Sequence, residues 1–495
     1  MDRETALQNY REAVSRKIAA FRSHMGDSVL EHAEDWEAVV EKAMKLLGEQ
    51  MEKQGKEYVC FLYFSLLKSD TINRNYRVQL HGLDMSWYMD KEPVEVYVDV
   101  KELLTPLDEL WNELVCANQG YGVSVNEYDI QNLLFDELTI MDNMICQVLR
   151  YRLRDWEKKG IFEPVTRSPY WVLRWGEYRD QTEILVQTDR VEKDPGVWKT
   201  ELSKAAREPE KMVFSYWYKG TYADRTIRDM DMRFITFEES TVQNIVFQNC
   251  NLEGSRFPGT RLTGCSFEGC NLWGADFREC TFEQTSFAGA ELTACVPRRK
   301  CSVSGNQCRA ASGNPSGQGG RIMRYFFITQ DKNLPGSIQY RDFDINGSRH
   351  VFSKEDSSQL DSVVALYLAG DGNEARWDFL QHPVTMFSRR FRNILDAYEP
   401  GLFFQEVVLI HKESSRQYRY VHTLMDQLDA VGSQTEYYPN GTVKRLVLDS
   451  GKIGQHNLFL LKGNQRKDPI VSLPLAESLL RRRPMGIHFE EVEVQ

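Results

Sequence analysis

The spacing of apolar and polar positions changes several times along the chain, and each change predicts a different kind of element. Ala6, Tyr10, Ala13, Val14 and Ile18 recur at helical spacing, which predicts a first helix, and a second runs from near Asp35 to Gln54. Tyr58 to Leu67 is densely apolar, as a central strand requires, while Tyr76–Leu80 and Val94–Val100 alternate with period two. Together these predict a small sheet preceded by helices. Ser124 with Glu127 reads as a capping box that opens a long helix through Leu134, Leu138, Met141, Ile145 and Leu149 toward a stop at Gly160. Short strand-like pieces rich in aromatics, Trp171, Trp175, Tyr216, Trp217 and Tyr218 among them, fill the stretch from Tyr170 to Tyr218.

The spacing then becomes five. Ile227, Met232, Phe237, Val242, Phe247, Leu252, Phe257, Leu262, Phe267, Leu272, Phe277, Phe282, Phe287 and Leu292 form one series. A smaller residue stands two positions before most of them, as at Ser240, Cys250, Ser255, Thr260, Cys265, Cys270, Ala275, Cys280, Thr285 and Ala290. Residues five apart point to opposite faces of a strand and lie about 140° apart on a helix. Neither element buries the whole series on one side. Each unit therefore has to turn a corner with one large and one small side chain inside, which is a solenoid. Its expected core is Phe237, Phe247, Leu252, Phe257, Leu262, Phe267, Leu272, Phe277, Phe282, Phe287 and Leu292.

Pro297 takes the next large position and ends the pattern, and residues 297–322 are rich in Gly, Ser and Arg, the composition of a flexible linker. No Asp or Glu occurs from Leu292 to Gln330, although the chain carries 72 in 495 residues. With Met323 opening a fresh strand-like run, this break suggests two neighbouring reading frames joined here. Farther on, Ser388 leads a helix with Phe391, Ile394, Leu395 and Tyr398 on one face, before Pro400. Strands are expected at Leu402–Ile410, Tyr418–Leu424 and Leu458–Leu461, with a hairpin turning at Pro439-Asn440-Gly441 into Val443–Leu448. Ser472 leads a last helix that closes in Arg481-Arg482-Arg483, and Gly486–Phe489 forms a final strand.

Units such as Cys250-Asn251-Leu252-Glu253-Gly254 and Ala275-Asp276-Phe277-Arg278-Glu279 resemble pentapeptide repeats. That resemblance implies a right-handed quadrilateral β-helix, here only three to four coils or roughly 15–20 Å at the strand spacing of ~4.8 Å. In the C-terminal part, Phe387-Ser388, Tyr418-Arg419-Tyr420-Val421, Asp426 to Asp429, Lys444 to Asp449, Leu458-Phe459, and Ile470-Val471-Ser472 running to Gly486-Ile487-His488-Phe489 resemble immunity-protein family eleven of bacterial polymorphic toxin systems. This second resemblance implies a cytoplasmic protein that neutralises a toxin by binding it, and it supplies no catalytic motif. The expected architecture is multidomain: an α+β domain of no recognised family at 1–218 that caps the first coil, the solenoid at 219–296, the linker at 297–322 and an immunity-like α+β domain at 323–495.

The net charge of −11 with pI ≈ 5.5 disfavours a nucleic-acid binder and leaves a basic protein open as partner. The charged start Met1-Asp2-Arg3-Glu4-Thr5 carries no secretory signal, and the longest apolar run is about half a bilayer span. A cytoplasmic location without membrane attachment is expected, and the repeat cysteines read as small packing residues rather than a disulfide framework.

Chemistry is sparse. The nine histidines form no metal-binding pair, no cysteines stand at Cys-x₂-Cys spacing, and Gly370-Asp371-Gly372 lacks the third glycine of a dinucleotide loop. No metal or cofactor is expected. Glu95 and Asp99 share a strand face but stand roughly 13 Å apart, too far for paired acid–base work. Arg174 and Arg179 interleave with aromatics in a way that could stack bases, but core packing is the preferred reading in an acidic chain. Arg481 to Arg483 could meet an acidic toxin surface or simply complement the helix dipole. The reading is a non-enzymatic bacterial immunity-type protein that binds a cognate toxin, with contact residues unassigned. The alternatives are an adaptor or loading chaperone that docks an effector onto a secretion machine and, from the acidic solenoid, a DNA-mimicking topoisomerase inhibitor.

Overall fold

The computed structural model describes residues 3–295, 323–331, 338–342, 354, 357, 360–369, 377–382, 384–462 and 468–495. The expected linker at 297–322 and the glycine loop at Gly370–Gly372 lie outside them. Helices and strands are mixed in both the N-terminal and C-terminal parts, with a central run of parallel strands between.

The chain opens with α1 (Arg3–Glu31) and α2 (Ala33–Gln54), then β1 (Val59–Leu66), α3 (Lys68–Ile72), β2 (Arg77–Leu83), β3 (Val94–Asp99), α4 (Lys101–Ala117), α5 (Glu127–Arg152), α6 (Trp156–Lys159), β4 (Arg167–Gly176) and β5 (Thr182–Asp189). The five strands pair in the order β3-β2-β1-β4-β5, with β1 and β4 parallel and the other neighbours antiparallel. Alternation puts Leu62, Phe64, Leu80, Leu173 and Trp175 on one face, where they share a core with Tyr10, Trp36, Leu47 and Leu138 of the helices.

Two readings change here. The capping box belongs to Asn126 and Asp129: the Asn126 side chain accepts from Asp129 N at 3.1 Å, and Asp129 Oδ2 accepts from Asn126 N at 2.9 Å. The helix also stops at Arg152, and Gly160, at φ 66°, instead ends the short α6. α4 was not expected from the sequence; its Leu104, Leu107, Leu110 and Leu114 are buried although Pro106 lies inside the helix.

The middle of the chain holds α7 (Pro195–Ala205), β6 (Tyr216–Tyr218), β7 (Thr221–Arg228), β8 (Thr236–Glu238), β9 (Thr241–Gln248), β10 (Arg261–Thr263), β11 (Ser266–Glu268) and β12 (Thr281–Glu283). Every pairing is parallel and offset by 20 residues, as in Tyr222↔Val242, Val242↔Leu262 and Leu262↔Phe282. The corners are equally regular. Backbone φ is positive at Lys219, Asp224, Asp229 and Phe234 and at each fifth residue after them through Ala294. Glycine suits this corner, and at Gly254 space favours it too, because a Cβ would lie 2.5 Å from the Phe234 ring. Trp198 of α7 packs edge-on against Trp217 and Phe237 and covers the first coil.

The C-terminal part comprises β13 (Tyr325–Gln330), β14 (Gln339–Asp342), β15 (Val363–Ala369), β16 (Phe379–Leu380), β17 (Met386–Ser388), α8 (Arg392–Tyr398), β18 (Phe403–His411), β19 (Arg416–Leu424), β20 (Gln427–Leu428), β21 (Glu436–Tyr437), β22 (Val443–Arg445), β23 (Val447–Leu448), α9 (Ser450–Ile453), β24 (Leu458–Leu461), β25 (Ile470–Ser472), α10 (Leu473–Arg481) and β26 (Ile487–Val494). It builds two six-stranded sheets, β20-β24-β25-β13-β26-β23 and β14-β15-β18-β19-β17-β16, while β21 and β22 form a separate hairpin. α10 is buried from Leu473 to Leu480, polar Glu477 and Ser478 included. A helix buried all round must have structure on every side. The N-terminal part supplies some of it, since Leu67, Phe135 and Tyr178 share one core with Phe326, Phe391, Leu475, Leu479 and Phe489. The two halves are therefore packed together rather than merely tethered.

Candidate functional site

Three regions carry the polar and exposed groups from which a function can be built: the solenoid, the joint between the halves, and the open face of the C-terminal part.

In the solenoid, Phe237, Phe247, Leu252, Phe257, Leu262, Phe267 and Leu272 are fully buried and Phe277 nearly so, whereas Phe282 and Phe287 are half-buried and Leu292 is 44% exposed in the last described coil. Rings one coil apart stack face to face, Phe247 on Phe267 at 5.0 Å and Phe257 on Phe277 at 5.0 Å. The small positions are polar for a reason. Thr260 Oγ1 donates to Phe237 O at 2.8 Å, Cys280 Sγ to Phe257 O at 2.8 Å and Cys295 Sγ to Leu272 O at 2.9 Å, satisfying inward-facing carbonyls of the coil below. The rod is also docked along one flank. Tyr151 of α5 meets Phe234 and Trp273 edge-on and donates to Glu253, Arg278 pairs with Asp155, and Lys158 pairs with Glu279. Three of its other acids are engaged as well: Glu238 by Arg190 and Tyr216, Glu239 by Lys219, and Asp276 by Arg278. An acidic DNA-like surface needs free carboxylates, and Glu238, Glu239, Glu253, Asp276 and Glu279 are already engaged.

The joint centres on a ring of four side chains. Arg324, immediately before β13, binds Asp70 of α3 and Glu491 of β26, and Arg77 of β2 binds the same two carboxylates at 3.0 and 3.2 Å. Both guanidiniums lie over the Tyr97 ring, at 5.3 and 5.5 Å. Burial alone would raise the Glu491 carboxyl, but Arg324 and Arg77 hold it below the usual range. Glu477 adds a second clasp by accepting from the N–H groups of Lys68 at 3.2 Å and Ser69 at 2.8 Å; its burial still pushes its carboxyl up. At the edge, Arg481 binds Asp180 and donates to Arg179 O at 3.3 Å, Arg483 binds Asp136, and Arg482 turns back to Ser478 O. The triple arginine thus grips its own chain, which accounts for the cluster without an outside partner. No local pattern foretold this ring, because Asp70 and Arg324 are 254 residues apart.

On the open face, the β21–β22 hairpin leaves Tyr437 54%, Tyr438 51% and Val443 39% exposed. Asn440 fixes its tip by accepting from Thr442 N at 3.1 Å, and Gly441 supplies the positive φ of 80°. Glu436 with Lys444, and Glu493 with Arg445, brace its flanks above a hollow of about 660 Å³ floored by Phe327 and Val492. Two exposed tyrosines beside an arginine on a braced projection have the composition of a binding hot spot. The turn was legible in the sequence; the exposure of its tyrosines was not.

The remaining candidates resolve individually. Glu95 receives Gln79 Nε2 at 3.3 Å and lies 3.5 Å from His81, while Asp99 accepts from Lys101 N at 2.9 Å. They work separately. Trp171 and Trp175 enter the N-terminal core, whereas Arg174 and Arg179 line a cleft. Among the described residues, Glu399, Asp426 and His456 are grouped closely enough to hold a metal ion. Glu399 is occupied by His456 Nδ1 at 2.8 Å and by the N–H of Asn457 at 2.6 Å, and Asp426 by Lys354 at 2.8 Å, so the group acts as a tie between the end of α8 and β24. Among the described residues no helix is long and apolar enough to cross a membrane.

Comparison with known families bears on two of these regions. The model of pentapeptide repeats matches in 8 copies over residues 231–269, 246–284 and 265–295. The Immunity protein family (Imm11) matches residues 359–494. Among solved structures, a pentapeptide repeat protein (Rfr23) from the cyanobacterium Cyanothece 51142 is similar at 16% identity, covering 20% of this chain and 98% of that one with a TM-score of 0.14. HetL, a pentapeptide repeat protein of Nostoc sp. strain PCC 7120 involved in heterocyst differentiation regulation, is similar at 11% identity, covering 17% of this chain and 45% of that one with a TM-score of 0.13. No curated protein matches the chain.

Proposed function

We propose that this chain is a non-enzymatic bacterial immunity-type protein that binds and neutralises a cognate polymorphic toxin in the cytoplasm. The observation that carries the reading is the match of residues 359–494 to the Immunity protein family. The proposed contact surface is the β21–β22 hairpin with Tyr437, Tyr438 and Arg445, because the opposite side of the same half is covered by α3 and α5. The proposal divides the chain into 1–218, 219–296 and 323–495, with the middle part coiled as a right-handed four-sided helix. The 20-residue pairing and the corner at every fifth residue support that geometry. The solenoid and the N-terminal half then serve as a rigid body that holds the binding half.

The test is co-expression of the full chain with the toxin encoded beside it. The full chain is required because residues 323–495 alone would expose the core they share with Leu67, Phe135 and Tyr178. Restored growth and a co-purifying complex are expected. Failure of both sinks the reading, and co-purification with a component of a secretion machine in place of a toxin would move it to the adaptor role.

A further inference from the structure

The face of the N-terminal sheet turned away from the helices carries a row of polar side chains that no role described so far uses. Register places Glu95, His81, Tyr63 and Arg174 directly across four neighbouring strands, β3, β2, β1 and β4. Over the Tyr63–Arg174 end of the row the sheet is open, and a cleft of about 710 Å³ lies there, within the size range of small-molecule sites.

Two pinned segments wall it. The loop between β2 and β3 is clasped at its base by Lys56, which binds Asp84 at 2.9 Å and Asp90 at 2.7 Å. From that base Trp87 and Tyr88 project over the sheet. Trp87 donates to Tyr63 Oη at 2.8 Å, Tyr88 stacks on Tyr63 at 5.9 Å, and Trp87 remains 48% exposed. Trp87 also adopts a left-handed φ of 53°, a conformation that costs free energy and is held here by the clasp. The second wall is the turn between β4 and β5, fixed from the C-terminal half by Arg481. It carries Arg179, whose guanidinium lies over Tyr88 at 5.6 Å and Tyr178 at 5.3 Å.

The charge balance of the cleft is lopsided. Its carboxylates are already answered: Glu177 by Lys68 at 2.8 Å and Thr139 at 2.9 Å, Glu183 by Arg150 at 3.1 Å, and Asp180 by Arg481. Asp142 holds Trp175 Nε1 at 2.7 Å, and its burial pushes its carboxyl up to about 7. The guanidiniums are not answered in kind. Arg174 donates only to the hydroxyl and carbonyl of Thr182, and Arg179 has no carboxylate partner among the described residues, with its Nε buried and unbonded. Aromatic faces supply a stacking platform, and two unpaired guanidiniums supply the complement of an anion.

We propose that this cleft binds a small ligand that joins a planar ring to an anionic group, the ring stacking on Trp87, which Tyr88 backs at 4.5 Å, and the anion meeting Arg179 and Arg174. Mononucleotides and aromatic carboxylates share that chemistry. The site stands independently of toxin binding, which is placed on the far half of the chain.

The full chain would be titrated calorimetrically with AMP and GMP in one arm and with indole-3-acetate and 4-hydroxyphenylacetate in the other, with adenosine and indole as uncharged controls. One arm is expected to bind, at least tenfold more tightly than its control. Arg179→Gly removes the guanidinium at a position whose φ of 54° suits glycine, so the fold is retained while binding falls at least tenfold. Arg174→Met provides a second variant with the same expected loss, and Tyr437→Ala on the remote hairpin leaves binding unchanged. The proposal is overturned if neither arm binds, if the uncharged controls bind equally well, or if both arginine variants bind like the parent.

Discussion

Arg324, immediately before the first strand of the C-terminal half, donates through its guanidinium to the carboxylate of Asp70, on a short helix of the N-terminal half, and both side chains are buried. The pair is enclosed by Arg77 and Glu491, so neither charge keeps access to bulk water. Removing Arg324 leaves Asp70, buried, and Glu491 sharing the single guanidinium of Arg77, a loss of about 3–5 kcal/mol. Arg324→Ala should therefore lower the stability of the whole chain by that order. Denaturant unfolding should split into two transitions as the halves uncouple. A single transition within about 0.5 kcal/mol of the parent would show that the ring does not hold the joint.

Asp142 gives the stability a pH dependence of defined sign. Its buried carboxyl titrates near 7 in the folded chain against an ordinary value of 3.8, so the folded state holds the proton more tightly. The stabilisation is complete below the lower value and is lost as pH rises toward 7, by up to about 4 kcal/mol. Asp142→Asn keeps an oxygen acceptor for Trp175 and removes the titration. Relative to the parent, the variant should gain stability between pH 4 and pH 8, and parallel melting curves across that range would contradict the assignment.

Position along the solenoid sets the cost of truncation. Phe257 is fully buried and stacked from both sides, on Phe237 and Phe277, so Phe257→Ala should cost about 3–5 kcal/mol. Leu292 belongs to the same series but is 44% exposed, and Leu292→Ala should stay within about 0.5 kcal/mol. Urea midpoints of the two variants check the contrast.

The hairpin tyrosines separate binding from folding. Tyr437→Ala with Tyr438→Ala removes two exposed rings, so the melting temperature should barely move. On the proposed contact surface, affinity for the co-expressed toxin should drop tenfold or more. Pull-down titration against the parent measures it, and undiminished affinity would clear the hairpin of that role.

What could be read in advance follows the range of the forces involved. The five-residue series was legible because each unit meets the same neighbours one coil away, so a single local rule is written many times from Ile227 to Leu292. The strand at Val94–Asp99 was legible through alternation, and Phe403–His411 lies one residue on from the strand expected at Leu402–Ile410. α4 was missed because Pro106 interrupts a pattern that burial of four leucines nonetheless sustains. α7 was missed behind its aromatic surroundings, although Asp194 caps it by accepting from Gly196 N at 2.7 Å. The joint was beyond reach: Asp70, Arg77, Arg324 and Glu491 look like ordinary surface charges until the fold buries them. The arginines at 481–483 show the converse. A run that resembled an outward patch closes on Asp180 and Asp136.

The twenty-residue offset also restricts how the rod can change in length over generations. Phe234, Gly254 and Gly274 stand one above another beside Tyr151 and Arg154, each one full coil from the next. A duplication of twenty residues would restore that column and leave every later contact in phase. A duplication of five would advance all subsequent coils by one corner, carrying Trp273 away from Tyr151 and Arg278 away from Asp155. Length in this segment is thus a stepwise trait. Related chains should differ there by whole coils, while the corners facing α5 hold their sequence phase.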